Sequence, residues 1–225
     1  ILARNTHGDV RGNEIKNMGV GGKETFGVIV HGDSEVTITG NEVRDYERTG
    51  IGANGDGGVH PAPTIDVLDN VVEGAGGVGE AWGPNGIQIG FGAGGTIRDN
   101  TVADNRYGDS FTSATSAGIL LFTASDVMVQ QNTIEESDIA LASASSENNR
   151  FVRNQVNDAL IGTYFAQAEN NKLVNNDIKN ADPALGAAGV LNTGENNKLM
   201  RNTIEGFDTA IYDGGQASKV QANRP

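Results

Sequence analysis

The sequence predicts an all-β solenoid, a stack of coils built from short strands. Three observations predict it. Asn followed one residue later by Ile or Val recurs at Asn13, Asn41, Asn70, Asn100, Asn132, Asn154, Asn176 and Asn202, with gaps of 28, 29, 30, 32, 22, 22 and 26 residues. A period in the twenties, with insertions, marks stacked repeats. Short alternating runs such as Val36-Thr-Ile38, Ile65-Asp-Val67 and Val127-Met-Val129 precede the Asn, and alternation at period two means a strand with one buried face. Farther upstream stands a small residue followed by apolar ones, as in Gly27-Val-Ile-Val30, Gly86-Ile-Gln-Ile89, Gly118-Ile-Leu-Leu121 and Gly189-Val-Leu191.

Each repeat therefore holds three strands in order: the small-apolar run, the alternating run, and a third strand after the Asn. The Asn sits at the bend between second and third strands. Its side chain tolerates the left-handed backbone of a tight bend. Its amide both donates and accepts, so stacked copies form a ladder that satisfies bend groups otherwise buried unpaired. No repeat carries the helical pattern of a βαβ unit or regularly spaced Leu, which leaves a single-stranded parallel β-helix of about eight to nine coils, about 40 Å long at ~4.8 Å per coil.

On the Gly-Ile and Asn-x-Ile/Val repeat, the chain resembles the right-handed parallel β-helix repeat family, the pectate-lyase-like superfamily. The resemblance covers nearly the whole chain. It implies a right-handed coil and leaves function open, because that superfamily holds lyases, hydrolases, epimerases, viral spikes and adhesins.

The 225 residues read as one β-helix with a looped half, 1–130, and a regular half, 131–225. Insertions fall at Gly19 to Thr25, Gly52 to Pro63, Gly74 to Asn85 and Ala103 to Ala117, and function in solenoids usually sits on such loops. The chain opens mid-repeat at Ile1 without an initiator Met, and Val220 to Asn223 starts another coil. Both suggest a piece of a longer protein, with flanking domains or partner chains over its ends. A net charge of −13 and a pI near 4.5 argue against nucleic acid as partner, which needs a basic stripe. Six Lys against ten Arg, with abundant acid, suggest a salt-loving source or an acidic secreted protein. There is no Cys, and no apolar run approaches the ~18 residues of a membrane span. The expected location is secreted or at the cell surface.

Alternation turns Val28 and Val30 inward, so Ile29 and His31 point out. Coil by coil, the outward pairs read Gly52/Asn54, Gln88/Gly90, Leu120/Phe122, Ala140/Ala142, Ile161/Thr163 and Leu191/Thr193. This face is apolar in its C-terminal half, which asks for cover by loops or by another subunit, a trimer being one solution.

The resemblance implies a groove over the first strands, here over coils two to five. Catalytic candidates are Arg44, Tyr46, His60, Arg106 and Tyr107, with His31 a further acid/base group. An Arg would neutralise a uronate carboxylate, and Tyr or His would move the C5 proton. Arg48, Trp82, Gln88 and Asp109 are the substrate-binding candidates; Trp82 with Tyr107 and Phe91 would stack on a sugar ring. No metal site is assigned. Asn54-Gly-Asp56-Gly has the composition of a calcium loop but lacks its following acidic ligands, so cofactors stay unassigned, with Ca²⁺ the one to consider. The Gly-rich runs 74–79 and 90–95 precede no helix and are not phosphate loops. The expected function is a carbohydrate-acting or carbohydrate-binding β-helix, with lyase or epimerase chemistry on an acidic polysaccharide if it is an enzyme. The alternative is a structural, adhesion or spike module assembling through the apolar first-strand face.

Overall fold

The protein is described by a computed structural model covering residues 1–18, 25–76, 83–108, 116–181 and 186–224. It is a right-handed parallel β-helix. The second strands stack in one sheet of nine, from His7–Arg11 to Lys219–Gln221. First and third strands join in a sheet of fifteen because two of its strands, Thr133–Ala144 and Gln155–Ala166, run from third-strand into first-strand position without a break. Every pairing between strands is parallel and joins neighbouring coils.

The eight Asn form the expected ladder, and Asn223 extends it by one. At each rung the backbone N–H and the side-chain Nδ2 donate to Oδ1 of the next Asn, as from Asn70 to Asn100 at 2.9 Å for both. In the middle of the ladder Nδ2 also donates to two carbonyls, so Asn132 reaches Ile97 and Gln130 at 3.0 Å each. A second, shorter ladder of Asn149, Asn171 and Asn197 occupies the bend before the second strand.

The interior is built of stacked columns of apolar side chains. Val28, Ile51, Ile87, Ile119 and Leu141 line up on the first strands, and Val43, Val72, Val102, Ile134, Val156, Ile178 and Ile204 on the third. Each is buried, and each such side chain contributes about 1.5–3 kcal/mol. Opposite the third-strand column runs a row of small residues. A Cβ on Gly27, Gly50, Gly86, Gly118, Gly162 or Gly189 would lie 2.2–2.5 Å from a methyl of the facing Val or Ile. The small residue preceding each apolar run is thus fixed by close approach of the first and third strands.

Two outward assignments from alternation change. Below Leu120 and Phe122 the register places Ala142 and Ala144, then Tyr164 and Ala166. Ala140 belongs to the row of small residues, and Thr163 faces inward, fully buried. Where strand three continues directly into strand one, no loop marks the bend, and the count slips.

Candidate cleft on the first-strand face

The outward face of strands Phe26–His31, Thr49–Asn54 and Asn85–Gly90 forms one wall-to-wall row of polar and aromatic groups. Register puts Ile29, Gly52 and Gln88 in one column and His31, Asn54 and Gly90 in the next. The glycines leave room above the sheet, and an open cleft of about 490 Å³ lies there, lined by Phe26, Ile29, His31, Arg48, Asn54, Gln88 and Phe91 among others.

Its polar groups are held in place. Gln88 Nε2 donates to Asn54 Oδ1 at 3.0 Å and Asn85 Nδ2 donates to Gln88 Oε1 at 3.1 Å. His31 Nδ1 lies 3.0 Å from the Asn54 carbonyl. A carbonyl only accepts, so Nδ1 carries the proton and Nε2 keeps the lone pair in the neutral ring. The Arg48 guanidinium lies 5.8 Å from the centre of the Phe26 ring, a cation–π contact. Phe91 is exposed and meets Phe122 edge-on at 5.2 Å. The cleft thus combines a cation, a ring base, amides for hydroxyl groups, and aromatic faces.

The other sequence-predicted residues are placed elsewhere. Arg44 lies on the outer face of the third strand Glu42–Tyr46, ion-paired with Glu42 and Glu73. Tyr46 is a correction. It is fully buried, and its hydroxyl donates to Asn105 Oδ1 at 2.7 Å, so it meets no substrate. The left-handed Asp45 (φ 56°) and a register shift between Arg44 and Tyr46 turn the side chain inward. His60 is exposed in the 55–63 loop, tied to Asp56 through both its backbone N–H and Nδ1; this hydrogen bond holds the Asp56 carboxyl below its ordinary pKa. Arg106 pairs with Asp104 at 2.8 Å and lies 3.6 Å from Glu136. Neighbouring Asp104, first of all, pushes the Glu136 carboxyl up. Tyr107 donates its backbone N–H to Asp138 at 2.8 Å. Trp82 and Asp109 lie outside the described residues. Among the predicted residues, Arg48 and Gln88 meet in the cleft, with His31; Arg44, His60, Arg106 and Tyr107 do not line it.

Sequence reading missed Phe26 and the role of Asn54. Phe26 stands one residue before the small Gly27, and that offset from the repeat would have marked it as outward. Among the described residues, no group of three or more His, Asp or Glu is arranged to hold a metal ion, and no helix is long and apolar enough to cross a membrane.

The family model described as right handed beta helix region matches residues 26–208. No curated protein is similar to the chain in sequence. Among solved structures, the periplasmic alginate epimerase AlgG is similar at 16% identity and a TM-score of 0.67, over 88% of this chain and 47% of that one. XylC in complex with xylose is similar at 13% identity and a TM-score of 0.59, over 82% of this chain and 36% of that one. The chain spans about half of the first and less of the second, and at these identities the likeness is one of fold.

Proposed function

The chain belongs to the right-handed β-helix family, and on that basis we propose that it is an extracytoplasmic carbohydrate-acting protein whose first-strand cleft takes an acidic sugar. The observation that carries the reading is the meeting of His31 and Arg48 in one cleft floored by Gln88 and flanked by Phe26 and Phe91. Aromatic faces suit the apolar side of a sugar ring, and the amides of Asn54 and Gln88 suit its hydroxyls. Arg48 pairs with the carboxylate and stabilises the charge that builds there when the C5 proton leaves. His31 Nε2 takes that proton. The electron pair then either expels the O4 substituent, which leaves as the alcohol with a proton from water and gives an unsaturated uronate, or takes a proton from water on the other face.

The alternative, an assembly module, draws on the apolar C-terminal half of this face. Ala117, Ile139, Ala142 and Ile161 are 3–6% exposed within the single chain, and Leu120, Tyr164 and Leu191 beside them are partly buried, so part of this face is already covered by its own side chains. The large apolar side chains that stay exposed include Ile1, Leu2, Phe26 and Phe91, around the cleft.

The test is a screen of pectate, alginate and glycosaminoglycans at low and high salt, following ultraviolet absorbance of unsaturated uronate for a lyase and proton NMR of the polymer for an epimerase. Activity that Arg48→Ala or His31→Ala abolishes supports the reading. Silence in both assays, with no binding of any of these polymers, overturns it.

A further inference from the structure

The second sheet carries a feature that the net charge of −13 hides. Register aligns Arg150, Lys172, Lys198 and Lys219 in one column on four successive coils. Their neighbours Phe151, Leu173 and Leu199 point into the core, so the four cations point out. Three of them are exposed and Lys172 is half-exposed. The column is about 14 Å long, three steps of ~4.8 Å. Like charges directly opposite one another on paired strands are destabilising, and several other cations of the fold are paired with acids instead. Arg11, Lys16, Arg44, Arg106 and Lys179 each sit beside a carboxylate. Among the described residues, none of the four stacked cations has an acidic partner within 4.0 Å.

The surroundings of the column give it a binding side. Two residues on along each strand lies a half-buried apolar row, Val152, Val174 and Met200. Beyond it, at the left-handed bend, stand Arg153 and Arg201, both exposed. The apolar row is therefore a strip with the cation column along one edge and, along the other, Arg153 and Arg201 with Asn175 between them. At its C-terminal end the strip deepens into a shallow depression of about 290 Å³ lined by Met200, Arg201, Gln221 and Ala222. On the opposite side of the column, Glu147, Glu169 and Glu195 form an exposed acidic row, which repels an anion from that flank.

We infer that this strip is a second binding surface, separate from the cleft, for a linear acidic polysaccharide lying along the helix axis. An extended chain with one carboxylate per sugar presents its charges at regular intervals to cations spaced by the coil rise, and lays its apolar sugar faces on Val152, Val174 and Met200. Single-stranded nucleic acid fits less well, because its unspecific sites stack bases on aromatic side chains and the strip has none. The surface holds a long polymer while the cleft engages one stretch of it, and binding relieves the repulsion within the column.

The test uses the Arg48→Ala protein, so that the cleft is silenced, and a fluorescent oligogalacturonate long enough to span the four cations. The expected result is anisotropy-detected binding at low salt that Lys172→Gln/Lys198→Gln weakens about tenfold or more, with a salt dependence shallower by about one log unit per cation removed. Circular dichroism and urea midpoints establish that the variant is folded; its side chains are outward, and removing like charges leaves stability equal or higher. Retained affinity in the lysine variant overturns the proposal. So does absence of binding in Arg48→Ala, or an oligothymidylate of equal charge binding as tightly through the same lysines. Because the lysine pair lies on the second-strand sheet and Arg48 on the bend before a first strand, failure at one surface is read separately from failure at the other.

Discussion

The hydroxyl of Tyr46 donates to Oδ1 of Asn105 at 2.7 Å across 59 residues of sequence, with both side chains fully buried. Asn105 in turn donates Nδ2 to the Ala103 carbonyl at 2.8 Å. The pair joins the ends of two third strands inside the stack. Tyr46→Phe leaves a buried amide oxygen without its donor, which costs about 1–3 kcal/mol. The urea midpoint should fall accordingly, while binding in the cleft stays as in the parent. A loss of binding without loss of stability would return Tyr46 to the site.

The same burial sets a pH dependence. It pushes the Tyr46 pKa far above its ordinary value. The folded protein therefore keeps this proton where the unfolded chain, with a pKa of about 10, releases it. The stability it contributes is full below about pH 10 and is lost as pH rises beyond that. Alkaline denaturation followed by circular dichroism should show this loss in the parent and a flatter profile in Tyr46→Phe.

Tyr46 also shows where sequence reasoning stops. The ladder positions were legible because Asn repeats at one bend on every coil, and the core followed by counting in twos from them. Counting in twos from Val43 puts Tyr46 inward only if the extra residue at Asp45 is known, and a left-handed Asp leaves no distinctive mark in sequence. The cleft was half legible. Gln88 and His31 come from alternation, whereas Arg48 gains its neighbour Phe26 only once the register of adjacent coils is fixed. The cation column was invisible for the same reason: Arg150, Lys172, Lys198 and Lys219 are 22, 26 and 21 residues apart and meet only through coiling.

Rungs of the Asn ladder should differ by position. Asn132 accepts from the Asn100 backbone at 3.0 Å, donates to two carbonyls, and donates to Asn154 at 3.0 Å, all around a buried side chain. Asn132→Ala strands several buried groups at about 1–3 kcal/mol each, and neighbouring rungs share those bonds, so Asn132→Ala with Asn154→Ala should cost less than the sum. Asn13, exposed at the edge of the stack, should cost little. Equal midpoints for Asn13→Ala and Asn132→Ala would contradict the buried-ladder account.

Close approach at the small-residue row predicts a rescue. A Cβ on Gly118 would lie 2.5 Å from Ile134 Cγ2 and 2.9 Å from the Ala140 carbonyl. Gly118→Ala should destabilise by about 1–3 kcal/mol through overpacking. Ile134→Ala alone leaves a cavity at about 2–5 kcal/mol. In the double variant the two defects partly fill each other, so thermal unfolding should reveal a favourable coupling of about 1 kcal/mol or more. Additivity would mean that the clash is relieved through the backbone instead.

Asp138 is buried beside Tyr107 and Ser116. One carboxylate oxygen accepts the Tyr107 N–H at 2.8 Å, and Ser116 is a further polar neighbour of the carboxyl. Burial, the dominant cause, raises its pKa. The folded state then binds this proton more tightly than the unfolded chain, whose carboxyl titrates near 4. Stability from this group is full below that value and falls as pH rises through the raised one. Asp138→Asn keeps an oxygen for the Tyr107 N–H and carries no charge to desolvate. Its urea midpoint should match the parent at about pH 4 and exceed it at about pH 7, with the difference opening across the raised titration. A variant that loses stability at neutral pH would show that the charged carboxylate is needed there.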